Sequence, residues 1–247
     1  MSPDLDLALR LADAADAISL PLFGSGLAVE RKPDSSPVTE ADRGVERELR
    51  RILADERPDD GVLGEEHGVT GGRARRWIID PIDGTRNYSR AIPVWATLVA
   101  LEEDGEVRLG VVSAPALGKR WWAERGAGAF ADGRVIRVSS VERLENAVVC
   151  VSPEDGVADP VRKAWHVRGF GDFWAHMLVA EGAVDGAYDG IGVNEWDLAA
   201  VRPIVEEAGG RFSDFSGAAR IDSGSALSSN GLLHDELLAA APLRRTP

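Results

Sequence analysis

Apolar positions near the start of the chain recur at helical spacing in two blocks. In the first, Leu5, Leu9, Ala12 and Ile18 share a face before Pro21 and Gly24 interrupt the pattern, which predicts an opening helix. In the second, Thr39 stands three residues before Asp42 as a capping-box start, and Val45, Leu49, Ile52 and Leu53 follow at helical spacing until Pro58. The period then shortens. The runs WII (77–79), VWATLVAL (94–101) and VRLGVVSA (107–114) predict strands, and Asp104-Gly105 between the last two predicts an antiparallel hairpin. KRWWAER and GAFADGRVIRVS extend this meander. From about Asn146 short strands (AVVCV, WHVRGF, AVDGAY) alternate with helices (DFWAHMLVAEG, WDLAAVRPIVEEAGG, GLLHDELLAA), the second of these ended by glycines. The pattern predicts an α+β lobe over 1–145 and an α/β lobe over 146–247 that together complete one structural unit, with a loop at SPEDGVADP and a short tail, LRRTP.

Composition narrows what such a chain can do. With 247 residues, 44% of them apolar, it has enough material for a core without staples, and its single cysteine, Cys150, can form no internal disulfide. The segment MSPDLDLALRLADAADA lacks a basic n-region and a long apolar stretch, so no secretory signal is expected and the cytoplasm is the expected location. No run reaches the 18 or more apolar residues that would span a bilayer. The net charge of -13 disfavours nucleic acid and anionic lipid as partners, and an anionic ligand would need help from a cation.

The stretch WIIDPIDGTRNY (77–88) ends an apolar strand with two carboxylates, Asp80 and Asp83. Such groups repel unless protonated or bridged by a cation. A turn is one reading, since aspartate, proline and glycine mark turns. GEE (64–66) after Val62-Leu63, and EWD (195–197) opening a helix, add two further acidic sites, each ordinary alone as a loop or a helix cap. Together Glu65, Asp80, Asp83 and Asp197 form an all-oxygen donor set suited to Mg²⁺, whereas the scattered His67, His166, His176 and His234 and the one cysteine offer no zinc spacing. An EF-hand loop fails because Ile79, Pro81 and Arg90 occupy ligand positions. An aspartyl-phosphate D-x-D-x-T motif fails because Pro81 stands where the nucleophile belongs, and no P-loop run exists.

GEE, WIIDPIDGTRNY and WDLAAVRPIVEEAGG closely resemble the three signatures of the inositol monophosphatase superfamily, and PVTEAD (37–42), GAGAF (126–130) and GLLHDE (231–236) extend the likeness over essentially the whole chain. Within it, IPVWATLVAL, GVVSAPALGKRWWAERGAGAF, GDFW and SSNGLLHDE look most like the bacterial histidinol-phosphatase branch. The resemblance implies an αβαβα layered sandwich, a homodimer, and a lithium-sensitive, Mg²⁺-dependent phosphomonoesterase acting on a small phosphorylated metabolite with two or three ions per site. It would place one ion on Glu65, Asp80 and the Ile82 carbonyl, a second on Asp80, Asp83 and Asp197, and a weaker third on Glu65 and water. Thr85 and Asp42 match the residues that orient and deprotonate the attacking water, the amides of Gly84 and Thr85 match a phosphate cradle, and Glu66 is a supporting candidate.

Two departures from that branch concern the leaving-group pocket. SPEDGVADPVRKAW looks short, and YDGIGVNEWD replaces an A-E-P-type run, with Asp189 standing in for a glutamate in a register shared with Gly190. Asp172, after Gly171 in GFGDFW, occupies a place where the inositol branch usually has a small neutral residue, so Asp172, Asp189 and Glu195 are expected to meet a cationic substrate such as histidinol phosphate. Inositol, sugar or nucleotide phosphates remain open as substrates. So does a catalytically silent interaction protein using the aromatic surface around Trp121 and Trp122.

Overall fold

The computed structural model describes residues 1–26, 30–31, 37–151, 161–190 and 193–241. The loop SPEDGVADP, the tail LRRTP, and Ile191-Gly192 of the altered segment lie outside them. Helix α1 (Pro3–Leu22) starts where the Ser2 hydroxyl accepts from the Leu5 amide, and it carries Pro21 in its final turn. Its buried face runs through Leu5, Leu7, Leu11, Ala12 and Ala15, so Leu9 and Ile18 of the expected face lie at its margin. After the short ribbon of β1 (Glu30–Arg31) and β2 (Pro37–Val38), α2 (Glu40–Glu56) begins with the expected capping box, in which Thr39 and Asp42 bond reciprocally.

Eight strands form the larger sheet: β3 (Gly61–Gly64), β4 (Gly68–Thr70), β5 (Arg75–Asp83), β6 (Ala96–Glu103), β7 (Glu106–Ala114), β8 (Lys119–Glu124), β9 (Gly128–Ala131) and β10 (Arg134–Val135). Their order is β10-β9-β8-β7-β6-β5-β3-β4, antiparallel except for the parallel β3–β5 pair. The β6–β7 hairpin turns at Asp104 and Gly105, both at positive φ, as a two-residue turn of matching twist requires. Between β5 and β6 lies α3 (Thr85–Tyr88).

The smaller sheet is built from β11 (Val148–Cys150), β12 (His166–Arg168), β13 (Gly186–Asp189), β14 (Arg211–Ser213) and β15 (Ala226–Ser229), ordered β12-β11-β13-β15-β14. Between the sheets lie α4 (Asp172–Ala180), α5 (Glu195–Ala199) and α6 (Val201–Glu207), and α7 (His234–Ala240) closes the chain's described part. The expected single helix over 196–210 is two. Pro203 has no N–H for the Ala199 carbonyl and its ring crowds that position, which breaks the helix at Ala200.

Burial resolves the layers. Val45 and Leu49 of α2 and Leu11 of α1 pack on Trp77, Ile79 and Val99, one face of the larger sheet. On its other face, Ile78, Leu98 and Val112 meet Phe173 and Met177 of α4 and Leu198 and Ile204 beyond. Helix α4 turns Ala175 and Val179 to Cys150 and Ala187 of the smaller sheet, whose far side packs against Leu237 and Ala240 of α7. The result is an αβαβα sandwich, as the resemblance implied. Among the described residues, no helix is long and apolar enough to cross a membrane.

Under α7 the fully buried His234 ring lies 2.9 Å from Ser213 Oγ and 2.8 Å from Ser229 Oγ. Burial pushes its pKa down to about 4, whereas an unfolded histidine titrates near 6.5. Between these values the unfolded chain binds the extra proton, so stability falls with decreasing pH across that window and the loss saturates below it. The loss attributable to this ring is expected to approach about 3 kcal/mol at pH 4. Denaturant midpoints of wild type and His234→Gln measured from pH 7 to pH 4 check this: the wild type's advantage should shrink, and a pH-independent gap would refute it.

Candidate active site

In a regular strand, residues three apart point to opposite faces. Asp80 pairs with Leu98 but Asp83 with Ala96, so β5 advances three residues while β6 advances two. This one-residue bulge turns Asp83 back to the side of Asp80, the side that faces α4 and α5. Proline suits the irregularity, and the Pro81 carbonyl is held by the Thr97 hydroxyl at 2.7 Å.

Helix α5 brings the third carboxylate. One oxygen from each of Asp80, Asp83 and Asp197 lies within 4.8 Å of the others, a grouping able to hold a cation. Asp80 and Asp83 are almost fully buried, and Asp80 Oδ1 has no hydrogen-bond partner. Desolvation, then repulsion from Glu65, Asp83 and Asp197, raises the Asp80 pKa well above the carboxylate range. Desolvation and the charges of Asp172 and Asp197 do the same to Asp83, against a hydrogen bond from the Phe173 amide. Asp197, mainly desolvated, is pushed up to about 7 although the Asn194 amide donates to its Oδ2 at 2.6 Å. A buried carboxylate group with an orphaned oxygen and mutual repulsion fits a hard divalent cation, because such an ion would supply the missing partner and cancel the repulsion.

Glu65 stands outside the tight trio but close enough to repel Asp80 and Asp197. Its loop is fixed from behind by Glu46, a wholly buried residue of α2, which accepts from the amides of Glu66 (2.7 Å) and His67 (3.1 Å) and from Arg50 Nε (2.7 Å). Gly64 is obligatory there, since a Cβ would sit 2.2 Å from Glu46 Oε1. The sequence reading passed over Glu46. Its signal was an acid four residues after Asp42, among the apolar positions of α2.

Gly84, at φ 80°, caps α3, and an added Cβ would lie 3.0 Å from the Val94 carbonyl oxygen and 3.5 Å from Asp172 Oδ2. The first turn of α3 leaves its leading amides without intrahelical acceptors. Tyr88, which donates to the Ser19 carbonyl at 2.7 Å, packs edge-on against Trp95 and seats this turn on an aromatic cluster. Thr85 Oγ1 lies 2.9 Å from the Ile82 carbonyl and 3.2 Å from Asp42 Oδ1, so its one proton has two acceptors. Asp42 is buried, and desolvation raises its pKa against hydrogen bonds from Thr39 and Thr85.

Across from Gly84, Asp83 Oδ2 accepts from the Phe173 amide at 2.7 Å, so α4 begins on a carboxylate of another strand. Gly171, its N-cap, makes no side-chain cap and has open space beside it. Asp172 itself takes φ +54°, a conformation that aspartate adopts at a cost. It is open to solvent, which screens the upward pull of crowding and of Asp189 on its carboxyl. Half-buried Asp189 lies 3.9 Å from Nε2 of buried His176, whose Nδ1 is 2.7 Å from Ser228 Oγ.

The chain belongs to the inositol monophosphatase family, whose model matches residues 1–244. It is a phosphatase. It is similar to the histidinol-phosphatase of Mycobacterium tuberculosis, 51% identical over 95% of this chain and 96% of that one, and to that of Streptomyces coelicolor, 48% identical over 95% of each. Among solved structures, an IMPase from Thermotoga maritima superposes with a TM-score of 0.88 at 35% identity, covering 97% of this chain and 96% of that one.

Proposed function

We propose that this chain hydrolyses histidinol phosphate to histidinol and inorganic phosphate. The observation that carries this reading is the pair of carboxylates, Asp172 and Asp189, beside the Asp80–Asp83–Asp197 group and across from Gly84. Two acids beyond those needed for a cation suit a substrate whose alcohol half carries an ammonium and an imidazole, whereas an inositol ring offers only hydroxyls. The family likeness and the named relatives support the same choice.

In this reading Asp80, Asp83, Asp197, Glu65 and the Ile82 carbonyl hold two or three Mg²⁺ ions, which offset the carboxylate charge that would repel a phosphate dianion and lower the pKa of water. The chain's own groups do the rest. Thr85 Oγ1 orients the attacking water, and Asp42 Oδ1, made more basic by burial, receives its proton through that hydroxyl. Amides at Gly84 and Thr85 face the charge that accumulates on the phosphoryl oxygens. Asp172 and Asp189 orient the leaving alcohol by its cationic groups, with His176 backing Asp189. The same reading includes inhibition by Li⁺ and a homodimer, for which the exposed Trp165, Val167 and Phe170 around edge strand β12 offer apolar surface.

Phosphate release from histidinol phosphate, inositol 1-phosphate, fructose 1,6-bisphosphate and a 3'-phosphoadenosine nucleotide, with and without Mg²⁺, tests the proposal. Histidinol phosphate should be preferred, and exhaustive chelation should stop every reaction. Asp172→Asn should lower kcat/KM for histidinol phosphate about ten- to a hundred-fold, the scale of one charged hydrogen bond, and spare inositol 1-phosphate. Equal losses on both substrates, or a preference for the cyclitol, would defeat cation recognition.

A further inference from the structure

Helix α5 has five residues, too few to hold its own shape or place in water. The break at Ala200 also uncouples its direction from α6. Yet Asp197, in the middle of α5, must stand at a fixed distance from Asp80 on the sheet. Two contacts bracket it. At the far end, the Ala200 backbone rests on β7 at Gly110, where a Cβ would lie 2.2 Å from the Ala200 oxygen and 2.7 Å from its Cα. At the near end, Glu195 Oε2 accepts from Arg76 Nη2 at 2.6 Å, and Arg76 Nε donates to Glu102 Oε2 at 2.5 Å.

The registry of β5 makes this second contact a spacer. Arg76, Ile78 and Asp80 alternate onto the same face of the strand, the face that α5 covers. Glu195 is the first residue of α5, so its bond to Arg76 pins the start of that helix to β5 on the face that Asp80 shares. Arg76 and Glu102 are 5% and 7% exposed, so their pairing is little screened and its geometry is fixed by a planar fork that reaches two carboxylates at once. Arg73 approaches the other Glu195 oxygen only at 4.0 Å and is itself largely exposed, so it adds little.

We infer that Glu102, Arg76 and Glu195 form a positioning triad that sets the separation between Asp197 and Asp80, and so the affinity of the site for its cation. The inference rests on the metal-holding role proposed for the aspartates. None of the three belongs to the aspartate group, and Glu195, expected to meet a cationic substrate, is instead bonded to Arg76. The triad acts by holding the N-terminal end of α5 down while Gly110 holds the other end.

Direct Mg²⁺ binding by calorimetry and hydrogen exchange of the amides of α5 and α6 test the triad on the full chain. Glu195→Ala should weaken Mg²⁺ about ten-fold, the scale of losing a group that orients a metal ligand, and should accelerate exchange in α5 while leaving α6 unchanged. Glu195→Gln, which keeps the reach and an acceptor for Arg76, should restore affinity to within about three-fold of wild type. Arg76→Lys keeps the charge but cannot span both carboxylates, and should resemble Glu195→Ala. Should that buried substitution prevent folding, the two Glu195 variants decide the matter alone. Unchanged Mg²⁺ affinity in Glu195→Ala, or faster exchange spread evenly over the molecule, would overturn the triad. Failure of the wild type to bind Mg²⁺ at all would instead sink the metal-site reading.

Discussion

Asp80→Asn is expected to lower turnover by about a thousand-fold or more while making the protein more stable in chelator. The opposite signs come from one cause. Asp80 is buried against Glu65, Asp83 and Asp197, with Oδ1 unpartnered, so its charge is costly to the fold until a cation arrives. An amide of the same shape removes that repulsion, and a gain of even 1 kcal/mol raises the melting temperature by about 2 to 4 °C for a chain of this size. The same change removes an anionic ligand from the centre of the group, and several kcal/mol of lost transition-state stabilisation correspond to the expected fall in rate. Thermal melts in chelator together with phosphate release at saturating Mg²⁺ measure both halves. A variant that melts below wild type in chelator would show that the trio is not under electrostatic stress.

Thr85→Ala should reduce kcat by about a hundred- to a thousand-fold, the range of a lost proton-transfer group, with Mg²⁺ affinity close to wild type. The Thr85 hydroxyl reaches both the Ile82 carbonyl at the bulge and buried Asp42, so in the proposed reaction it links water, base and ion site without carrying charge. Thr85→Ser keeps that hydroxyl and should stay within about ten-fold of wild type. Calorimetry separates this effect from that of Asp80→Asn, which should lose the ion as well. Near-normal turnover in Thr85→Ala would remove Thr85 from the reaction.

Much of this arrangement is legible in the residue pattern, and the exceptions have physical causes. The capping box at Thr39 and Asp42 and the Asp104-Gly105 hairpin follow from local chemistry, which tertiary packing leaves intact. The convergence of Asp80, Asp83 and Asp197 was readable as an all-oxygen set, but the bulge that aims two of them together is a matter of registry between strands. β14 and β15 escaped notice because RFS and ALSS are short and serine-rich, and their strand state comes from the neighbours they pair with. The run from Trp196 to Glu207 has continuous helical periodicity, and its break depends on a single missing N–H at Pro203. Glu46, Arg76 and His176 carry no motif. Each matters through burial and through partners that a linear reading does not bring near.

The bulge between Asp80 and Asp83 also limits how such a chain can change over generations. Substitutions at Pro81 or Ile82 alter the size of a side chain, which a packed neighbourhood can absorb in part. Loss or gain of one residue there would send Asp83 to the α2 face of the sheet and leave its partners on the other. Change at this tetrapeptide is therefore open to spelling and closed to length, so the chain constrains a count of residues there as much as their identity.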